Sequence, residues 1–311
     1  MTEEVAPELA HAGGMVTDAV WIDFDVDGRL DLVTVGEWMP IQFYRNDGTH
    51  LRNVTASTHL PPMRGWWSSL ATGDFDHDGR PDLVAGNLGL NYTYATSRAS
   101  RFGVYAGDFT GNRTTDVVLT EEKDGTAVPL AGMDPLGRAL YTLSLRFPTY
   151  GSFAEATIAQ LFSPAQLQQA IHYQTDTFAS VYLHNEGRGT FSASPLPNLA
   201  QIAPVKAIVV HDVDGDGHLD LIVAGNLYDA EPNTPRADAG NGLWLRGDGK
   251  GHFAPVPPHE SGLLAPRNVA GLSLINTRTG KALLVANTGD SLQAFNIRKR
   301  KHGTGATAPV P

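Results

Sequence analysis

The chain has 311 residues, 41% of them hydrophobic, and 33 acidic against 23 basic residues give a net charge of −10. That length can bury a sizeable core, the acidic balance disfavours a nucleic-acid partner, and the absence of cysteine removes disulfides, zinc–thiolate sites and thiol nucleophiles. The 33 glycines and 20 prolines favour many short strands and tight turns, and no apolar run reaches the roughly 18 residues of a membrane span.

Residues 1–14 form a lead-in that lacks the basic and apolar regions of a signal peptide. The first repeat follows, "AVWIDF" entering and "LDLVTVGEW" leaving the acidic loop Asp23–Asp31. A second copy, "SLATGDF" to "PDLVAGNLG", surrounds Asp74–Asp82, and a third, "AIVVHDV" to "LDLIVAGNL", surrounds Asp212–Asp220. Between these lies "GVYAGDFTGNRTTDVVLTEE", with Asp108, Thr110, Asn112 and Asp116 at the same offsets, and a late copy from Val269 keeps the apolar runs without the acids. The unit is strand, nine-residue loop, strand. Hairpins such as "IQFYRNDGTHLRNVT", "SVYLHNEGRGTFSAS" and "GLWLRGDGKGHFAPV" bring it to four strands, the content of a propeller blade. The expected fold is all-β: a β-propeller over 15–297 with about five recognisable blades and up to seven. The long gap before Asp212 reads as a helical insertion over about 134–173, where Ser163 can cap a helix and Pro164 fits its first position; a degenerate blade is the alternative. Residues 298–311 read as a basic, disordered tail.

Aspartate at loop positions 1, 3, 5 and 9 with glycine at 6 is the pattern of a hard-cation site, since odd-numbered side chains converge and position 7 offers its carbonyl. All-oxygen donors favour Ca²⁺ over Mg²⁺ or zinc. An EF-hand would need Glu at position 12, which is Thr34, Ala85 and Val223 in the three loops, and would need flanking helices.

The strings "DFDVDGRLDLV", "DFDHDGRPDLV" and "DVDGDGHLDLI" resemble the FG-GAP or VCBS repeats of integrin alpha-subunit propellers. "GNLGLN", "GEWMP" and "YLHNEGRGTF" are similar to bacterial proteins related to cartilage acidic protein, whose repeats accompany an ASPIC/UnbV domain. The resemblance implies about three calcium sites: Asp23, Asp25, Asp27, Arg29 (carbonyl) and Asp31; Asp74, Asp76, Asp78, Arg80 (carbonyl) and Asp82; and Asp212, Asp214, Asp216, His218 (carbonyl) and Asp220. The loop of Asp108, Thr110, Asn112 and Asp116 has lost two carboxylates and its Gly111 is displaced, so it is a fourth, weak or empty site. An extracellular or periplasmic location is implied as well.

No catalytic motif emerges: there is no G-x-S-x-G, H-E-x-x-H or phosphate-cradling loop. A candidate ligand surface comprises Arg64, Trp66, Trp67, Asn91, Tyr92 and Tyr94, aromatic and polar residues expected near a propeller rim. Inter-blade packing is the competing reading for the tryptophans. The function expected is a calcium-stabilised binding or interaction module for carbohydrate or protein. The rivals are a ligand-free scaffold within a larger secreted protein, or a polysaccharide-active enzyme, which would gather Glu37, Glu121, Glu122 or Glu155 with Arg, His or Tyr.

Overall fold

The computed structural model describes residues 6–9, 13–97, 99–140, 143–230, 234–278 and 280–298; most of the proposed tail and parts of the lead-in lie outside them. Apart from short helices, the described residues form antiparallel sheets.

The first sheet runs in sequence order, β1 (Met15–Ile22), β2 (Asp31–Met39), β3 (Gln42–Asn46) and β4 (Leu51–Asn53), with the two-residue β5 (Gly65–Trp66) added beside β2. The second opens with β6 (Ser69–Gly73) and β7 (Asp82–Gly86), and there the chain departs from it. An inserted sheet is built from β8 (Ser100–Gly107), β9 (Asp116–Lys123), β10 (Thr126–Pro129) and, after the helices, β11 (Ile171–Gln174), which pairs with β8. Only then do β12 (Val181–Gly187) and β13 (Thr190–Pro195) complete the second sheet, β12 pairing with β7. The third sheet is again sequential: β14 (Ala207–His211), β15 (Asp220–Ala224), β16 (Leu243–Gly247) and β17 (Phe253–Val256). The last has three strands, β18 (Val269–Thr277), β19 (Gly280–Asn287) and β20 (Gln293–Ile297).

The five sheets do not simply follow one another along the chain. The Asp108 unit is nested between the second and third strands of the Asp74 sheet, and four sheets follow one another. Local sequence encodes strand pairs; which later hairpin completes a pair is decided by side-chain packing across the sheet. The helical stretch is Met133–Ala139, Leu143–Arg146, Tyr150–Ala154, Ile158–Leu161 and Pro164–Gln169. Ser163 caps the last of these, accepting from the Gln166 N–H, with Pro164 in its first turn. The helices bury Leu136, Leu140, Phe153, Ile158, Leu161 and Phe162 against Phe109 and Val118 of the inserted unit.

The four serial sheets stack face to face through separate cores. Val33, Val35 and Phe43 of the first meet Trp67, Leu83 and Leu183 of the second. Phe75, Val84 and Tyr182 meet Leu221, Val223 and Leu245 of the third, whose Ile222 and Ala224 meet Leu283 and Val285 of the last. The first strands lie side by side in the order β1, β6, β14, β18. Second strands are therefore covered on both faces, which is why "DLVAG" and "DLIVA" are continuous apolar runs rather than alternating ones. Close approach also dictates the glycine ending β7: a Cβ on Gly86 would sit 2.1 Å from the Val205 carbonyl oxygen.

Candidate metal centre

Each acidic loop joins the first two strands of its sheet, and one hydrogen-bond pattern shapes all of them. The position-1 carboxylate closes the turn: Asp23 accepts from the N–H groups of Asp27 (3.0 Å) and Gly28 (2.9 Å), Asp74 from Asp78 and Gly79, and Asp212 from Gly215, Asp216 and Gly217. Position 5 accepts from the N–H of position 7, as Asp27 from Arg29, Asp78 from Arg80 and Asp216 from His218. Positions 4 and 6 are left-handed, with φ of 61° and 89° at Val26 and Gly28, 61° and 83° at His77 and Gly79, and 83° and 94° at Gly215 and Gly217. A positive φ at 6 is thus a backbone requirement, and glycine meets it without strain.

Position 9 ties the loop to the third strand. Asp31, Asp82 and Asp220 are fully buried. One oxygen of each accepts from the position-2 N–H, of Phe24, Phe75 or Val213. The other accepts, at 2.8 Å, from Asn46 in β3, Asn185 in β12 or Gly247 in β16. Burial pushes Asp31 up to about 6 despite these bonds, and raises Asp82 and Asp220 in the same way. Asp25 is raised too, by burial first and then by the charge of Asp27.

The arrangement brings carboxylate oxygens within 4.8 Å of one another in three groups: Asp23, Asp25 and Asp27; Asp74, Asp76 and Asp78; and Asp212, Asp214 and Asp220. At position 3, Asp25 Oδ1 and Asp214 Oδ1 are buried without a hydrogen-bond partner. A buried, unpaired carboxylate oxygen facing other carboxylates is costly, and a divalent cation would relieve both the burial and the repulsion. The donor set therefore fits a hard cation.

The Asp108 loop has the same backbone. Asp108 accepts from Gly111, Asn112 and Arg113, Asp116 from Phe109, and Gly111 (φ 75°) and Arg113 (φ 67°) hold the left-handed positions. Its glycine has moved from position 6 to position 4 without shifting the frame. With Thr110 bonded to Asp116 and Asn112 to Thr114, it brings no three carboxylates together.

The loops share one rim, since His77 Nε2 lies 3.0 Å from His218 Nδ1 and Asn185 Nδ2 donates to the Phe24 carbonyl in the first loop. Sequence reasoning missed the bases arriving from third strands. Arg45 lies 4.0 Å from Asp25, His184 lies 3.4 Å from both Asp76 and Asp82, and Arg246 lies 2.9 Å from Asp214. Each immediately precedes the residue that ties position 9, a signal visible only once the strands are paired.

The candidate ligand surface is only partly a surface. Trp67 is fully buried, its indole N–H donating to the Met63 carbonyl, and is withdrawn from it. Trp66, Tyr92 and Tyr94 belong to an aromatic cluster with Trp38, Phe102 and Phe178 that joins the first sheet to the inserted one. Exposed Arg64 pairs with Asp176, and exposed Asn91 donates to the Ile202 carbonyl. A cleft of about 490 Å³ that the sequence did not announce opens beside the third loop, lined by Asp214, Trp244, Arg246, Glu260, Asn296 and others. Of the four glutamates, Glu122 meets His172 at 2.6 Å, with Tyr105 stacked on that imidazole.

Residues 23–85, spanning the first two loops, match the model of the FG-GAP-like repeat. No curated protein matches the chain. No helix among the described residues is long and apolar enough to cross a membrane.

Proposed function

We propose that this FG-GAP-like chain is a calcium-stabilised binding module of β-propeller architecture, working outside the cytoplasm on a carbohydrate or protein ligand. The observation that carries it is the three-fold recurrence of one loop geometry with converging carboxylates, two of them leaving buried oxygens unpaired. Calcium is structural in this reading: Asp23, Asp25, Asp27 and Asp31 and their counterparts hold it, with the position-7 carbonyls of Arg29, Arg80 and His218. Bound there it neutralises the loop and fixes the rim. The face-to-face series of sheets, with the first strands side by side, supports the propeller reading.

The ligand face is the cleft beside the third loop, where Trp244 offers an aromatic surface and Glu260 and Asn296 offer polar contacts. A second reading, catalysis at the Glu122–His172 pair, rests on their contact with Tyr105 nearby. Calcium titration of chelator-stripped protein tests the main reading: three sites should fill, each adding about 2.7 kcal/mol at a hundredfold excess over Kd. An unchanged thermal midpoint with and without chelator refutes it. Glycan-array binding lost in Trp244→Ala places the ligand; hydrolysis or lyase activity lost in Glu122→Gln would establish the second reading.

A further inference from the structure

Three sheets place a basic residue at the same point of the third strand, facing the position-3 carboxylate, but the bases differ in kind. In the first and third sheets the residue is arginine: Arg45 Nη1 stands 4.0 Å from Asp25 Oδ2, and Arg246 Nε 2.9 Å from Asp214 Oδ2. A guanidinium is permanently charged and has no lone pair to offer a metal. In the second sheet the residue is His184, whose Nδ1 lies 3.4 Å from Asp76 Oδ2 and 3.4 Å from Asp82 Oδ1. These three residues form a metal-competent group of their own, with ligand atoms mutually within 4.8 Å.

The distances fit shared ligation, with the Tyr182 hydroxyl, also 3.4 Å from Nδ1, as the competing partner. A protein N–H···O bond is usually about 2.7–3.2 Å long. Two ligands each about 2.1 Å from one tetrahedral ion lie about 3.4 Å apart. The surroundings fit as well. Tyr182 donates to Asp82 Oδ2 at 2.7 Å, orienting that carboxylate, and Glu186 Oε2 stands 3.7 Å from His184 Nε2, on the side where a metal-bound imidazole keeps its proton.

We propose that the Asp74 loop is a mixed nitrogen–oxygen centre in which His184 Nδ1 joins Asp76 and Asp82 around a borderline divalent ion of the zinc type, held in preference to the calcium that fills the loop when no such ion is supplied. Arg45 and Arg246 offer no such nitrogen donor to the other two loops, which remain all-oxygen sites for hard cations. Imidazole is the donor that separates the two classes, because it suits zinc-like ions and adds little for calcium. The proposal rests on the reading that the loops bind cations, and its test separates the two.

Cadmium occupies both kinds of site, and its NMR frequency responds to a nitrogen ligand. Chelator-stripped full-length protein titrated with cadmium should give three bound resonances, one displaced from the all-oxygen range. His184→Gln should return that resonance alone to the range of the others and lower the zinc-over-calcium preference of the loop at least about tenfold. Arg246→His should convert the third loop, adding a second displaced resonance; this gain does not depend on how well His184→Gln folds. Three resonances all in the all-oxygen range, or a displaced one insensitive to His184→Gln, overturn the mixed centre and leave the cation sites standing. No bound resonance in any loop overturns both.

Discussion

Replacing Asp82 with alanine isolates the tie between the acidic loop and the third strand. The carboxylate is fully buried and accepts from Asn185 N–H at 2.8 Å, Tyr182 O–H at 2.7 Å and Phe75 N–H at 3.3 Å. Truncation strands three donors, each costing about 1–3 kcal/mol when left unpaired. Against this, the burial that raises the Asp82 pKa is relieved, so the net loss should be about 3–5 kcal/mol. Because Asn185 lies beyond the whole insertion, the damage should concentrate where β12 meets β7. The assay is urea unfolding in chelator, which removes any metal contribution, combined with hydrogen exchange over 181–195. Asp116→Ala is the control: its half-buried carboxylate serves Phe109 and Thr110 within its own loop, and about 1 kcal/mol is expected. Equal losses in the two variants, or unchanged exchange over 181–195, would refute the assignment of position 9 as the inter-strand tie.

Metal-free protein should lose stability as pH rises from about 4 to about 6. Burial raises Asp31 to about 6 from 3.8, so in that window the folded state holds the proton that the unfolded state has released. Urea unfolding in chelator at both ends of the window should reveal the drop, and Asp31→Asn should lessen it, with Asp82 and Asp220, raised by burial as well, carrying the remainder. Asp108→Asn should leave the calcium stoichiometry at three by isothermal titration, because that loop gathers no three carboxylates. Gly86→Ala forces a methyl to 2.1 Å from the Val205 carbonyl oxygen and 2.2 Å from Ser69 Oγ; a loss of about 1–3 kcal/mol is expected in a denaturant titration. Gly271→Ala, with nothing within 4 Å of its added methyl, should be near neutral.

Much of the candidate site was legible because its determinants are local. Aspartates at odd positions, a glycine where φ must be positive and a β-rich flank all fall within one nine-residue frame, and the structure places all three loops in that conformation. Even the Asp108 loop keeps the frame after losing its chemistry. The tryptophans were less legible: "GWW" does not say which ring turns inward, and alternation along the chain sends Trp67 to the core while Trp66 joins the aromatic junction. The bases Arg45, His184 and Arg246 carry no local signal, since each acquires meaning only from the strand it pairs with.

What the sequence by itself determined is therefore the repeat: strand, acidic loop, strand, with hairpins to complete a sheet, because backbone torsions and short-range hydrogen bonds select it. What only the tertiary structure decided is which hairpin completes which sheet, and so that the Asp108 unit is nested and His184 reaches the second loop. Those choices rest on contacts between residues about a hundred positions apart, such as Asp82 with Asn185. Packing specifies such contacts, and the order of residues along the chain does not.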